Sequence, residues 1–320
     1  MSNDSKAIIS IIIPAYNAEK TIKDTINSVQ QQTFDQFEAI IVNDGSKDHT
    51  EEIVKEIISY DNRIKYFFQE NSGVAAARNA GISNATGDYI CFLDSDDYYD
   101  KYYLEKMYKQ IIAEGSDICY CGYNLINGSV KKCKSNFGTN ELLKNFILGR
   151  TRIHISCLLI KKDFLKKQSL LFPLGVQWGE DFEFICLLLS TKAKISFVND
   201  YLSYYRVSHD EKQLSSFSLD KIDLDFHSIN RLLLEDRINK NTDILDALIK
   251  YRLRALIIYR LCDAVNRKAN SKDIIEYFNK YKIYFNEKYY GNGLRSLKLE
   301  LYTLKLKRWM KNYERRKYND

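Results

Sequence analysis

The 320 residues carry 48 Lys and Arg against 42 Asp and Glu, a formal net charge of +6, and 45% of them are hydrophobic. That is enough for one large core or two smaller ones. Seven cysteines show neither Cys-x-x-Cys nor zinc spacing, which excludes a disulfide scaffold or zinc module and points to a reducing compartment. There is no signal-peptide pattern, and no apolar run approaches the roughly 20 residues needed to span a bilayer, so the expected location is the cytoplasm.

In chain order, Ile8 to Ile13 is a β-branched run ending at Pro14, the pattern of a strand buried on both faces. Helical spacing of Ile22, Ile26 and Val29 predicts a helix over about 18–32, followed by a strand over 37–42. Asn43-Asp44-Gly45-Ser46 closes that strand. A helix through Ile53, Ile57 and Ile58, a strand over 63–68 and a small-residue helix within Gly73–Gly81 follow. Tyr89 to Leu93 is a further buried strand. This alternation predicts an α/β fold, a mainly parallel sheet with helices on both faces. The pattern is less regular beyond it: strands over 117–122 and 155–160, a hairpin signal at Asn127-Gly128, a helix over 140–148, an apolar helix entered through Gln177–Asp181, and strands over 195–198 and 203–207. From Phe217 strand signals vanish, and helices are expected over about 217–236, 242–268, 271–284 and 294–317. Residues 1–210 therefore read as one domain and 211–320 as a helical region. The first holds 24 basic and 27 acidic side chains, net −3, and the second 24 and 15, net +9. A basic second part suits an anionic partner or is simply a solvated face.

Asp94, Asp96 and Asp97 sit at the carboxyl end of the 89–93 strand, where open parallel sheets bind their ligands. Crowded carboxylates repel one another, and a hard cation, Mn²⁺ or Mg²⁺, would relieve them; Asp-Ser-Asp leaves room for a diphosphate on the metal. The competing reading is that Asp96, Asp97 or Asp100 caps the helix beginning near Tyr102. Two other loops, Tyr16-Asn17 and Asp44-Gly45-Ser46, end at the same edge. The glycine fingerprints of dinucleotide and phosphate-binding loops are missing, so a nucleotide here would be held mainly through a metal.

The order and spacing of Pro14-Ala-Tyr-Asn-Ala-Glu19, Val42-Asn-Asp-Gly-Ser46, Gly73–Gly81, Asp94-Ser-Asp-Asp97, Glu180-Asp181 and Tyr205-Arg206 with His209 resemble the family 2 glycosyltransferases of GT-A fold, over about residues 8–210. The resemblance implies that Pro14, Ala15, Tyr16 and Asp44 hold the base and ribose of a sugar nucleotide, usually UDP, with Asn43 departing from the usual Asp. It implies Arg78 near the donor, Asp94 near its sugar or ribose, Asp96 on the metal, and Arg206 and His209 closing over the diphosphate. Asp181, with Glu180 beside it, becomes the expected base of a single inverting displacement; without the resemblance, an acidic pair at a helix start is mostly a partner of the helix dipole. Arg78 has an alternative reading as a surface salt bridge, and Trp178 as a core residue instead of an acceptor platform. The acceptor is expected to be a glycan, a lipid-linked sugar or a wall polymer, and not a nucleic acid. Rival readings are a sugar-phosphate nucleotidylyltransferase and a non-catalytic sugar-nucleotide-binding protein. In the tail, Leu306, Trp309, Met310 and Tyr313 share one helical face and Lys305, Lys307, Arg308, Lys311 and Arg315 another, suiting either an anionic membrane or packing on the catalytic domain or a second copy of the chain.

Overall fold

The computed structural model describes residues 7–207, 217–286 and 294–317. The chain divides into two compact units, Met1–His209 and Asp210–Asp320.

The first unit begins β1 (Ile9–Ala15), α1 (Ile22–Gln30), β2 (Phe37–Asp44), α2 (Thr50–Ile58), β3 (Ile64–Gln69), α3 (Val74–Asn84) and β4 (Tyr89–Phe92). Strands β3, β2, β1 and β4 pair in parallel in that order. Their register sets Ala15 beside Asn43, Asp44 beside Gln69, and Ile12 beside Phe92, so all four carboxyl ends open on one edge. Ile9, Ile11, Ile12 and Ile13 are completely buried, as their unbroken β-branched run requires. Helix α3 lies directly against this layer: a Cβ on Gly81 would fall 2.3 Å from Ile12 Cγ2.

The unit continues with β5 (Tyr98–Tyr99), α4 (Tyr103–Glu114), β6 (Ile118–Asn127), β7 (Ser129–Lys132), α5 (Leu142–Ile147), β8 (Leu158–Lys161), α6 (Lys162–Gln168), α7 (Glu180–Leu189) and β9 (Ile195–Arg206). The sheet runs β3-β2-β1-β4-β8-β6-β9-β5, with β7 paired to β6. Strand β8 is antiparallel to both β4 and β6, while β9 is parallel to β6, so this half of the sheet is mixed. The two strands expected over 195–198 and 203–207 are one strand. The polar Asn199-Asp200 between them is not a turn; it precedes the register irregularity at Gly122, where Tyr201 packs so closely that a Cβ would lie 2.8 Å from its ring. The strand expected from Ile155 starts at Leu158, after a 3₁₀ turn over Ile155–Cys157.

The second unit is helical: α8 (Lys221–Leu234), α9 (Asp236–Asn239), α10 (Thr242–Asp246), a π-helical segment Ala247–Leu253 running on into α11 (Arg254–Asn266), then α12 (Ser271–Lys280) and α13 (Leu294–Lys317). Helix α13 packs on α11 through Leu299, Thr303, Leu306 and Met310, all buried, and Glu300 accepts from the Arg254 guanidinium at 2.7 Å. The tail stripe is thereby corrected. Leu306 and Met310 belong to the unit's own core, Trp309 and Tyr313 are half-buried beside them, and the leucines that face solvent are Leu294, Leu297, Leu301 and Leu304 on the opposite side. No helix among the described residues is long and apolar enough to cross a membrane.

Candidate active site

Pro14 and Ala15 end β1, and Tyr16 stands 51% exposed just beyond them. Asn17 takes a left-handed backbone (φ 48°), which Asn tolerates better than most residues. There its N–H donates to Ser46 Oγ (2.9 Å) and its Oδ1 accepts from the Lys47 N–H (2.8 Å), locking the loops after β1 and β2 together. Asp44 is buried. Its Oδ1 accepts from Gln69 Nε2 (2.7 Å) and the Ser72 N–H (2.9 Å), and its Oδ2 from the Gly73 N–H (2.9 Å). A carboxylate has about four acceptor sites, so three are already used, one on the end of β3 and two holding the start of α3, where a negative charge is also favoured by the helix dipole. Asn43, the departure from the family pattern, faces inward: its amide donates to Tyr66 Oη (2.8 Å) and accepts from the Ser46 N–H (2.9 Å).

Arg78, on α3, is the hub of the site and only 2% exposed. Its Nη2 donates to Asp94 Oδ1 (2.7 Å), and its Nη1 to Asp181 Oδ1 (2.6 Å) and Glu180 Oε1 (3.3 Å). The Phe172 ring lies 5.1 Å from the guanidinium carbon. Burial alone would weaken the charge on Arg78, but Asp181, Asp94 and Glu180 outweigh it and hold the side chain protonated. The surface salt-bridge reading of Arg78 is thus replaced by a buried bridge joining three carboxylates from two distant parts of the chain. Glu180 and Asp181 open α7, positioned by Gly179 in the left-handed region (φ 85°). Loss of water pushes the Asp181 carboxyl up to about 8; Arg78 opposes this, and the charges of Glu180 and Asp94 add to it. Among the described residues, Asp181 Oδ2 receives no hydrogen bond.

Asp94 is also raised by burial, but the charges of Arg78 and then His154 bring it below the usual carboxylate range. Asp96 is pushed up to about 6 by burial and by Asp94. Asp97 is fully buried. Its Oδ1 accepts from the Arg206 N–H (2.9 Å), its Oδ2 has no partner, and burial with the charges of Asp94 and Asp96 raises it strongly. Asp94, Asp97 and His154 present ligand atoms within 4.8 Å of one another. Burial lowers the His154 pKa more than Asp94 restores it, so the ring is neutral near pH 7, as a metal ligand must be. Oxygen and imidazole donors, an orphaned carboxylate oxygen and mutual repulsion all fit a hard divalent cation. None of these acids caps α4, whose N-cap is Tyr102 without a side-chain bond; Asp100 Oδ1 accepts from the Tyr102 N–H (2.9 Å) in the turn ahead of it.

The structure therefore brings Arg78, Asp94, Glu180 and Asp181 into one contact network, with Asp96 beside Asp94. Pro14, Ala15, Tyr16 and Asp44 stand at neighbouring strand ends. The Arg206 guanidinium donates to Asp24 on α1 (3.1 Å) and lies over the Tyr98 ring, 5.2 Å away, while its backbone meets Asp97. His209 lies outside the described residues. Asp97 stands in the acidic cluster read from the sequence, without a role of its own there, whereas His154 carries no sequence signal, being a single His between isoleucines.

A family model described as glycosyl transferase family 2 matches residues 10–169, half of the chain. The chain belongs to that family. Among curated relatives of this family 2 glycosyltransferase, glycosyltransferase GlyA of Streptococcus pneumoniae is 42% identical over 121 residues, 38% of this chain and 17% of GlyA. TuaG of Bacillus subtilis, named for teichuronic acid biosynthesis, is 32% identical over 63% of this chain and 80% of its own length. Residues 1–349 of S. aureus TarS, solved with UDP-GlcNAc, superpose with a TM-score of 0.62 at 23% identity, covering 90% of this chain and 93% of that one. The fold is GT-A, and a glycosyltransferase replaces the nucleotidylyltransferase alternative.

Proposed function

We propose that this glycosyltransferase moves a sugar from a nucleoside diphosphate, UDP by preference, to a glycan, lipid-linked or wall-polymer acceptor by one inverting displacement. The observation that carries the reading is the Arg78 bridge, which fixes a carboxylate of raised pKa, Asp181, beside the Asp94–Asp97 cluster at the open edge of the sheet. Asp181 takes the proton of the acceptor hydroxyl through its undonated Oδ2. The acceptor oxygen bonds to the anomeric carbon, the bond from that carbon to the diphosphate oxygen breaks, and its electron pair leaves with the diphosphate. A base titrating near the working pH is the efficient one. Arg78 orients Asp181 and keeps Asp94 ionised. Asp96 holds the divalent cation, Mn²⁺ or Mg²⁺, with Asp94, Asp97 and His154 adjacent; such a cation supplies charge stabilisation to the departing diphosphate. Tyr16, Pro14, Ala15 and the remaining acceptor site of Asp44 receive base and ribose, and Arg206 and His209 approach the diphosphate.

The protein works at the cytoplasmic face of a membrane, docking through the outward side of α13. There Leu294, Leu297, Leu301 and Leu304 are followed at the same spacing by Arg308, Lys311 and Arg315, an apolar stripe with a cationic extension that suits an anionic bilayer. The deciding experiment is a panel of UDP-, GDP- and dTDP-sugars assayed for release of nucleoside diphosphate with and without Mn²⁺. Metal-dependent release from one donor supports the reading; no release from any donor, with tight donor binding, favours a non-catalytic sugar-nucleotide-binding protein.

A further inference from the structure

Residues 124–152 contain six Lys and Arg against a single acid, Glu141. The rest of residues 1–210 holds 18 basic against 26 acidic side chains, since 24 less 6 is 18 and 27 less 1 is 26. Residues 124–152 therefore carry a net +5 inside a domain whose remainder is net −8, with a second basic stretch at Lys161, Lys162, Lys166 and Lys167 around Asp163. Glu141 is paired with Lys144. Among the described residues, none of the other five, Lys131, Lys132, Lys134, Arg150 and Arg152, has a carboxylate within ion-pairing distance. Cations without an ion-pair partner leave a positive field along this stretch, reduced at Lys132 by the nearby Asp200 carboxylate, and an anionic partner offsets that field.

The fold gathers the five. Strand β7 is exposed along its whole length, and the segment after it is tied to 150–152. The Asn136 N–H donates to Arg150 O (3.0 Å), the Arg152 N–H to Ser135 Oγ (2.8 Å), and the Arg152 guanidinium to Cys133 Sγ (3.2 Å). The same segment reaches the reaction centre. The Cys133 N–H donates to Tyr123 O (2.9 Å), the Tyr123 ring lies 5.8 Å from His154, and His154 Nε2 lies 3.9 Å from Asp94 Oδ2. Lys131 pairs with Leu125, and Leu125 with Tyr205, so the backbone of Lys131 runs two strand spacings, about 10 Å, from that of Tyr205, whose ring abuts His154.

We infer that this cationic edge is the track along which a polyanionic acceptor, a glycan bearing phosphate or carboxylate groups, is drawn to the centre. The inference rests on the transferase reading and adds the charge class of its acceptor. Spaced exposed cations grip a repeating anion without fixing it, which lets successive units advance, and their hold weakens as salt screens them.

The test measures fluorescence anisotropy of labelled poly(glycerol phosphate), polygalacturonate and neutral dextran fragments of equal length on the full chain, at low and high salt, with donor hydrolysis followed in parallel. The expected result is binding of one or both polyanions at least about tenfold tighter than dextran, lost at high salt. Lys131→Gln/Lys132→Gln/Lys134→Gln should weaken it about tenfold, as several screened surface charges do together, and the corresponding triple Arg variant should restore it, both hydrolysing donor at the wild-type rate. The phosphate and carboxylate arms identify the anion. Equal binding of dextran, unchanged polyanion affinity in the Gln variant, or loss of binding to phosphatidylglycerol vesicles instead of polymer would overturn the inference and leave intact the transferase reading, which donor hydrolysis reports separately. Absence of hydrolysis with every donor overturns both.

Discussion

Arg78 Nη1 sits 2.6 Å from Asp181 Oδ1, a contact between residues 103 positions apart that joins the small-residue helix to the start of the acidic one. It gives the expected base a fixed direction and opposes the rise in its pKa caused by burial. The rate should follow the ionised form: on this reading kcat climbs with pH and levels off above about 8. Asp181→Asn should lower kcat by about 10² to 10⁴ and flatten that limb, with donor affinity retained. Arg78→Gln should shift the limb to higher pH. A pH–rate profile on the three proteins checks all of this; an unshifted limb in Arg78→Gln would mean that the titrating group is not Asp181.

Removing the cation should also cost stability. Arg78→Ala leaves three partly buried carboxylates facing one another, a loss of about 3 kcal/mol at neutral pH. Without Arg78 their pKa values rise, so the folded state holds more protons than the unfolded one and the deficit grows with pH. Urea unfolding at pH 5 and pH 8 should show the smaller difference from wild type at pH 5.

The metal prediction has its own sign. Asp96 is pushed up to about 6 and must lose its proton to hold a cation, so Mn²⁺ affinity should rise as pH passes through that region. Thermal unfolding should show a Mn²⁺-induced increase in Tm at pH 7.5 that is lost by pH 5, and Asp96→Ala should abolish the increase at pH 7.5. An undiminished increase in Asp96→Ala, lost instead in His154→Ala, would move the ion to the Asp94–Asp97–His154 group.

For α13, Leu297→Glu/Leu301→Glu/Leu304→Glu should abolish flotation with phosphatidylglycerol vesicles at low salt without unfolding the helical unit, because all three side chains face solvent. Flotation that survives in the variant, with a fall in its mass by light scattering, would assign the face to a second copy of the chain.

Local pattern carried much of this molecule. The Ile8–Ile13 run, the apolar spacing of α1 and the acids after β4 each announce their place because period and termination are properties of neighbours in sequence. Beyond residue 115 the sheet depends on pairings that no period encodes: β8 inserts between β4 and β6, and the Gly122 irregularity keeps β9 continuous. The site divides in the same way. Strand-end residues such as Tyr16 and Asp96 follow from the topology rule for open sheets. That Arg78 would be buried beneath three carboxylates depends on one contact 16 residues away and two 102 and 103 away, and that His154 would reach Asp94 on one 60 residues away. The tail stripe failed for a related reason: α13 has apolar residues on two faces, and only packing on α11 decides which is inside.

Gly81 stands one helical turn beyond Arg78 and presses on Ile12 with no room for a methyl group. The distance between α3 and β1 is thereby set by the absence of a single carbon, and the guanidinium inherits that setting. Gly81 has no side chain to contribute to chemistry, yet lifting the helix by the width of a Cβ would draw the cation away from Asp94 and Asp181 together. In a screen for lost activity, a substitution at this wholly apolar contact would be indistinguishable from damage to the reacting groups themselves. The catalytic machinery therefore extends, as a genetic target, well into the hydrophobic core.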